Sequence, residues 1–391
     1  DDANNTYNLS FKKALLRKSI RNPKVVWNEL LSWLFTKQGD YGKAFIQEKA
    51  IYQRKQEDLS NFFILGDVAF NNKAYNSAKD IFTYTLKKSF TVEEKLEAQL
   101  FLLKIDVALK EENVQESFEK TLNLYGYSNQ TIYIQKAYAD YLTFRLNQPE
   151  KAKIVLEKAL QLANSKFEKA RIKLKLGDVL VFTNQFNKAL IYFSQIQTKL
   201  KNHPLGQQAR FKVAETSFFK GDFTWAKAQL KVLKGSTSQL IANDAVDLFL
   251  IISDNEPRDS VSTGLKDFAK GRLFAYQNKN LQAIDILNSV LKNYQGQNIE
   301  DEALLELGNL YVKTEQFEAA VNSFKKIIEI NKTGVLVDDA YYLLAEVYRN
   351  HIKDLEKASE YYQKIIFEQA SSIYLVEARK KFRQLRGDSI N

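Results

Sequence analysis

The sequence has 391 residues, a formal net charge of +10 at pH 7 and no cysteine. The missing cysteine excludes disulfides, thiolate metal sites and cysteine nucleophiles, and no run of about 18 apolar residues is present to span a membrane. The basic excess is mostly lysine, and it suits an anionic partner such as a membrane surface, an acidic protein or a nucleic acid.

Residues 1–24 begin polar and become a basic amphipathic stretch. Phe11, Ala14, Leu15 and Lys18 fit one helix, which predicts a partial repeat at the N-terminus, with a membrane-surface helix as the alternative. Because the sequence starts at Asp1 without a signal peptide, we expect a processed or shortened chain.

A two-helix pattern dominates residues 25–235 and 263–370, and its clearest copy is "LLELGNLYVKTEQFEAAVNSFKKIIEI" at residues 304–330. Apolar and small residues recur at helical spacing on either side of the polar break "KTEQ". They are Leu304, Leu307, Gly308 and Tyr311 before the break, and Phe317, Ala320, Phe324 and Ile327 after it. The small residues should let two antiparallel helices approach closely while the large ones fill the contact.

The same spacing of twelve residues from a glycine to an alanine occurs four times: Gly66 to Ala78, Gly177 to Ala189, Gly271 to Ala283, and Gly308 to Ala320. Weaker copies are centred on Ala44, Ser117, Ala152, Ala226 and Ala358. The marker residues recur at 34 to 39 residues, except for one gap of 57 between Ala226 and Ala283.

This pattern resembles the tetratricopeptide repeat, a helix-turn-helix unit of 34 residues with one small residue in each helix. The resemblance covers roughly residues 25–370. It implies an all-α chain that forms a right-handed superhelical α-solenoid of about nine repeats, with repeats 1–6 in 25–235 and repeats 7–9 in 263–370. The scarcity of proline, four in the chain, agrees with this assignment because proline is excluded from helix interiors.

Residues 236–262 interrupt the array, and they predict one extra helix followed by a polar loop. We expect the apolar face of that helix at Val246, Phe249 and Leu250. The acidic residues Asp254, Glu256 and Asp259 lack the glycine and terminal glutamate of an EF-hand loop, so we expect a solvated loop here and not a calcium site. The insertion is a candidate hinge or partner contact.

Residues 371–391 predict a basic capping helix. Its apolar positions, which we expect to cover the last repeat, are Ile373, Val376, Ala378 and Phe382. Its outer face forms a candidate basic docking face made of Arg379, Lys380, Lys381, Arg383 and Arg386. Such a face either keeps a terminal repeat polar or docks on an acidic surface.

Residues that suggest catalysis are missing from the sequence. It has no glycine-rich phosphate loop, nucleophile elbow or HExxH motif. The two histidines, His203 and His351, fall in predicted turns far apart in the array. Asp338 and Asp339 are adjacent, so we expect them on the surface. We therefore predict no enzyme activity, no cofactor and no metal.

In arrays of this family the first helix of each repeat lines a concave face, which commonly holds an extended or helical peptide. Aromatic side chains flanked by charges can anchor a peptide there by burial, although large residues at these positions also serve simple packing. The resemblance implies candidate groove contacts at Phe63, Asp67, Phe70, Tyr141, Phe144, Arg145, Asp178, Phe182, Phe211, Glu215, Phe218, Arg272, Tyr276 and Asn309.

The long repeats and the C-terminal stretch also resemble bacterial envelope proteins of this superfamily, especially from the Bacteroidetes group. A lipoprotein would carry its lipid on an N-terminal cysteine, which this sequence lacks. The resemblance implies a non-catalytic scaffold in an envelope complex of the periplasm or outer membrane, with the cytoplasm as the alternative. The competing function is a chaperone-like receptor that holds peptides in the groove. We expect protein partners, with nucleic acid disfavoured and peripheral contact with an anionic membrane possible.

Overall fold

The structure, a computed structural model, describes residues 6–22, 24–55, 58–235, 239–256 and 264–387. Across these ranges the chain consists of helices and turns, with no strand. The all-α solenoid predicted from the repeats is confirmed. The helices cluster into two compact units, one that ends at Asn164 and one that begins at Ser165.

The first unit contains helices α1 to α9 and one 3-10 turn, Asn129–Thr131. The helices are α1 (Thr6–Arg21), α2 (Val25–Lys37), α3 (Tyr41–Lys55), α4 (Ser60–Asn71), α5 (Tyr75–Lys88), α6 (Val92–Leu109), α7 (Val114–Tyr125), α8 (Ile132–Phe144) and α9 (Pro149–Leu162).

Helices α2 to α9 form four pairs of consecutive helices, and aromatic side chains fill the spaces between the first pairs. Phe62 and Phe82 are fully buried there. The Phe82 ring stacks on the Phe101 ring with their centroids 4.3 Å apart, while Phe62 meets the edge of Tyr52. Each such ring buries a large apolar area where one pair packs on the next.

The second unit contains helices α10 to α21 and one π-helical turn, Tyr348–Ile352. The helices are α10 (Lys166–Phe182), α11 (Phe186–Lys199), α12 (Pro204–Lys220), α13 (Phe223–Leu233), α14 (Gln239–Asp254), α15 (Leu265–Tyr276), α16 (Asn280–Asn293), α17 (Ile299–Lys313), α18 (Phe317–Ile330), α19 (Val337–Val347), α20 (Leu355–Glu368) and α21 (Leu375–Arg386). Five of these pairs, α10–α11, α12–α13, α15–α16, α17–α18 and α19–α20, continue the repeat.

The repeated glycine lies where two helices of one pair come closest. A Cβ atom added to Gly308 would lie 2.2 Å from Cε1 of Phe324, and one added to Gly177 would lie 2.2 Å from Cε1 of Phe193. Both rings are fully buried, so they have no room to move aside. This geometry confirms our interpretation of the small residues.

The turn inside each of the nine pairs contains a residue with positive φ, which reverses the chain direction after the first helix. Glycine and asparagine adopt this conformation at little cost, whereas lysine and glutamate are strained in it. The nine residues are Gly39, Lys73, Lys110, Asn147, Asn184, Gly221, Asn278, Glu315 and Lys353.

The extra helix in the interrupted region exists as α14, but its predicted apolar face is wrong at Leu250 and omits the residues that are fully buried. Ala245, Leu248 and Ile252 are buried, while Leu250 is exposed. The helix packs against α13 and α12, and the predicted Phe249 is partly buried against the same core. Asp259 and most of the predicted loop lie outside the described residues.

The capping helix α21 covers the last pair through Ala378, which is fully buried, and through the partly buried Phe382. The predicted contribution of Ile373 and Val376 is wrong, because these side chains are 85% and 77% exposed. Among the helices of the described ranges, none is both long and apolar enough to cross a membrane.

Candidate protein-binding groove

The second unit has two neighbouring clefts that share Glu215, Phe219 and Arg272. The first, of about 270 Å³, lies between α12, α14 and α15, and the second, of about 290 Å³, lies between α12, α15 and α17. Their remaining lining residues are Phe211, Phe218, Asp244, Asp247, Leu248 and Ile251 in the first, and Ala275, Tyr276, Glu306, Asn309, Leu310 and Lys313 in the second. We call this surface, together with Glu302 beside it, the acidic groove.

The clefts bring together six of the residues that the sequence analysis placed in the groove: Phe211, Glu215, Phe218, Arg272, Tyr276 and Asn309. Phe218 is nevertheless fully buried, because its ring packs against Phe223 and Phe268. The prediction that the Phe218 side chain points into the groove is therefore wrong, and the neighbouring Phe219 presents its partly buried ring to both clefts.

A half-buried lysine holds the floor of the groove together. Lys212 Nζ lies 2.9 Å from Oε2 of Glu215 and 3.2 Å from Oδ1 of Asp178, and it also lies 5.7 Å from the centre of the Tyr276 ring. Burial acts to lower the pKa of Lys212, but the two carboxylates outweigh it and raise that pKa well above its usual range. One cation thus forms ion pairs with two carboxylates from different helices.

Helix α15 also reaches past α12 to contact α10. The Tyr276 hydroxyl donates to the backbone oxygen of Asp178 over 3.2 Å. Gln277 Nε2 donates to the backbone oxygen of Phe182 over 2.9 Å and to Oδ1 of Asn184 over 2.8 Å. These contacts bury Asp178 and Phe182, so their predicted role as groove contacts is corrected to a packing role.

The rest of the groove carries more carboxylates than cations. Burial raises the pKa of Asp244, with a further increase from Glu215. Burial also raises the pKa of Asp247. The negative charge of Asp244 raises this pKa further, whereas the positive charge of Arg272 lowers it. The guanidinium of Arg272 lies 3.8 Å from the Glu306 carboxylate and over the Phe218 ring, so one arginine serves several acids.

Glu302 on α17 is the most strongly perturbed acid of the groove. Burial raises its pKa to about 7, against the opposing effect of Arg272 and with additional repulsion from Asp301, Asp339 and Asp254. Glu302 therefore holds its proton near neutral pH, mainly because burial disfavours the charged carboxylate and in addition because its neighbours are acidic. A cation placed beside Glu302 would favour the ionised carboxylate and lower the pKa of Glu302.

The expectation that Asp338 and Asp339 both lie on the surface is wrong for Asp339. Its Oδ1 accepts a hydrogen bond of 2.7 Å from the Tyr374 hydroxyl of the α21 side, and burial raises its pKa. Asp244 and Asp247 on α14 and Glu302 on α17 were not predicted as groove residues, because the two helices are far apart in the sequence and no single segment shows the cluster.

The candidate groove residues of the first unit lie in a more aromatic setting. Phe70 contacts Tyr75 and Phe101 edge-on, Phe63 lies 6.2 Å from Phe82, and Tyr141 stacks near Phe118. Asp67 and Glu97 repel each other, which adds to the burial that raises the pKa of Glu97. Phe144 is half-buried, and Arg145 follows the last turn of α8 as an exposed residue.

The predicted basic docking face loses one member. Lys381 points inward: its Nζ lies 2.7 Å from Oε1 of Glu346 and 2.8 Å from the Tyr342 hydroxyl, and it fixes α21 on α19. Burial acts to lower the pKa of Lys381, but the hydrogen bonds to Glu346 and Tyr342 outweigh this effect and raise that pKa. Arg379, Lys380, Arg383 and Arg386 are exposed, so they alone can form an outer face.

The histidines occupy packing and capping positions. His203 is the N-cap residue before α12, and its Nδ1 accepts a hydrogen bond of 3.1 Å from the Leu205 amide. The His351 ring stacks on the Phe317 ring with their centroids 4.4 Å apart. Within the part of the chain that the structure describes, no three histidine or acidic side chains are arranged to hold a metal ion.

Comparisons with known proteins agree with the repeated fold. Residues 301–333 and 339–366 match family models described as tetratricopeptide repeat, and these segments correspond to the pairs α17–α18 and α19–α20. No curated protein sequence matches the chain.

Several solved structures resemble the chain at low identity. A tetratricopeptide repeat protein from Parabacteroides merdae is 15% identical over 73% of this chain and 98% of its own, with a TM-score of 0.36. The apo form of RapI is 15% identical over 84% and 97%, with a TM-score of 0.40. YrrB, described as a tetratricopeptide repeat protein with an unusual peptide-binding site, is 16% identical over 68% and 99%, with a TM-score of 0.27. At such TM-scores these likenesses say nothing about the groove.

Two segments of the chain, residues 301–333 and 339–366, thus match the tetratricopeptide repeat. Proteins with such repeats generally mediate protein–protein interactions.

Proposed function

We propose that this tetratricopeptide-repeat protein is a non-catalytic interaction scaffold, and that the acidic groove of its second unit holds an extended partner segment carrying lysine or arginine. The observation that carries the proposal is the excess of carboxylates around two clefts with partly apolar walls. It stands out because the chain as a whole is basic.

The electrostatics of the groove favour a cationic occupant. Besides burial, a neighbouring carboxylate raises the pKa of each of three groove acids: Glu215 acts on Asp244, Asp244 acts on Asp247, and Asp301 is the largest such influence on Glu302. Their ionised forms are therefore disfavoured by repulsion from neighbouring negative charge. A lysine or arginine side chain placed among them would relieve that repulsion and gain charge-assisted hydrogen bonds.

The size and walls of the clefts favour side chains of a peptide over a free small molecule. Each cleft is at or below the lower end of the range of drug-sized ligand sites, which begins at about 300 Å³. Phe211 and Phe219 supply apolar surface for the stems of long basic side chains. Two clefts side by side can hold two such residues of one segment.

The experiment compares peptide binding by two double variants of equal charge change. A fluorescent peptide with two arginines and flanking apolar residues is titrated against the full chain. Asp244→Asn with Asp247→Asn should weaken binding at least tenfold, whereas Asp285→Asn with Glu329→Gln, two exposed acids away from the groove, should weaken it less than twofold. Equal weakening by both pairs would show bulk charge attraction only, and it would contradict the proposed site.

The exposed basic face of α21, now Arg379, Lys380, Arg383 and Arg386, remains a second proposed contact, suited to an acidic surface. We place the scaffold in a bacterial envelope complex, on the sequence resemblance alone. Fractionation of the native cells with an antibody would test this location, and recovery of the protein in the cytoplasmic fraction would contradict it.

A further inference from the structure

We propose that the second unit contains an anion site between the start of α10 and the end of α11, suited to the phosphate group of a small phosphorylated molecule. A pocket of about 160 Å³ opens there, and four lysines line it: Lys166, Lys169, Lys173 and Lys199. The other lining residues are Ala170, Gln195, Ile196 and Leu200. We call it the lysine pocket, and it shares no residue with the acidic groove.

The charges of the lysine pocket are not neutralised by the protein. Within the described part of the chain, none of the four lysines forms a salt bridge. Lys173 Nζ donates to Oε1 of Gln195 over 2.7 Å, a neutral partner. The nearest acid in sequence, Glu168, accepts the Ser165 amide in a capping box at the start of α10.

The lysines repel one another in this pocket. Burial lowers the pKa of Lys173, and the positive charges of Lys199 and Lys169 lower it further. The helix ends do not offset this repulsion between the lysines. Because α10 begins here and α11 ends here, the partial charges of the two ends have opposite signs and largely cancel. A bound anion would remove the repulsion, which is the feature that lysine-lined phosphate sites use.

The dimensions of the pocket select a compact group. Its volume is well below the roughly 300 Å³ at which drug-sized ligand sites begin, and Ala170, Ile196 and Leu200 form an apolar floor. A single phosphate group fits such a recess, with the rest of a small molecule extending into solvent. A lipid headgroup would present the same phosphate, but it would require the recess to meet a flat bilayer.

The test measures binding of inorganic phosphate and pyrophosphate to the full chain by calorimetry at low salt. We expect Lys169→Gln with Lys173→Gln to weaken binding at least tenfold. The matched control is Lys231→Gln with Lys292→Gln, two exposed lysines of the same unit, which should change binding less than twofold. Circular dichroism verifies that both double variants are folded.

A second measurement follows Lys173 directly. Its pKa, obtained by NMR of the lysine side chain, should rise when phosphate is added to the wild-type protein. Vesicles with and without phosphatidylglycerol separate the two phosphate sources. The proposal is overturned if the wild-type protein binds neither phosphate nor pyrophosphate, if both double variants bind equally, or if vesicle binding depends on the lysines while phosphate fails to compete.

Discussion

The contact between the two helices of one repeat and the groove that runs across several repeats follow different rules. In the first, Gly177 meets Phe193 and Gly308 meets Phe324 at the same spacing and nearly the same distance. In the second, α12, α14, α15 and α17 each contribute different side chains, such as Phe211, Asp247 and Arg272. A contact that every repeat must make is repeated in the sequence, whereas a surface that binds a partner need not be.

The largest effect should come from the glycine side of the intra-repeat contact. Gly308→Leu should lower the free energy of unfolding by about 3 kcal/mol or more, because the new side chain overlaps the buried Phe324 ring. The same change at Gly42, a helical position with nothing within 4 Å of an added Cβ, is the control and should be neutral or slightly stabilising. Thermal unfolding of both variants gives the difference, and equal midpoints would disprove the proposed close contact.

The next effect concerns the floor of the groove. Lys212→Gln leaves Asp178 and Glu215 without their shared cation, and we expect a loss of about 2–3 kcal/mol, a value below that of a fully buried pair because the side chains retain some exposure. Lys231→Gln, an exposed lysine on α13, should change stability by less than about 0.5 kcal/mol. Chemical denaturation measures both, and a loss of similar size for the two would show that Lys212 has no special role.

Glu302 extends this comparison, because it should make the free energy of unfolding depend on pH. Its pKa is raised in the folded state, so the folded protein binds the proton more tightly than the unfolded chain does. The contribution of proton binding at Glu302 to the free energy of unfolding is present in full below the pKa that Glu302 has in the unfolded chain. It is lost as the pH rises through about 7. Glu302→Gln should therefore stabilise the protein at pH 8 by up to about 3 kcal/mol, and flatten the change in stability between pH 5 and 8. A variant whose profile matches the wild type would contradict the raised pKa.

The same titration predicts how the groove binds. Protonation of Glu302 removes a negative charge, so the affinity for an arginine-containing peptide should fall when the pH drops from 7.5 to 5.5. Anisotropy titrations at the two pH values measure this, and Glu302→Gln should show a smaller change than the wild type. A rise in affinity at the lower pH would mean that the cation does not sit near Glu302.

The smallest effect on stability is expected at the outer face of α21. Arg379→Glu with Arg383→Glu should leave the free energy of unfolding within about 0.5 kcal/mol of the wild type, since both side chains are exposed. Lys381→Glu should instead destabilise the last repeat, because it places a carboxylate next to Glu346. If all these reversals destabilise equally, the inward position of Lys381 is wrong.

The sequence predicted the helix pairs because each repeat solves the same packing problem with the same residues. It failed where burial depends on neighbours distant in the chain. The buried face of α14 was misjudged because this helix lies outside the repeated pattern, so no other copy shows which of its positions meet the core. Lys381 looked like part of a basic face because its partners Tyr342 and Glu346 lie 39 and 35 positions away in the sequence. Phe218 and Phe219 are adjacent aromatic residues, and only the packing of α15 decides which of them is buried.

The contact of α15 with α10 has a mechanical consequence. In an ordinary repeat array each unit touches only its neighbours, so it can fray from an end one repeat at a time. Here the Tyr276 and Gln277 side chains donate hydrogen bonds to backbone oxygens of α10, which lies beyond the intervening pair α12–α13. When this part of the second unit is stretched, these hydrogen bonds must break before the repeats separate. Three repeats should therefore unfold together under force.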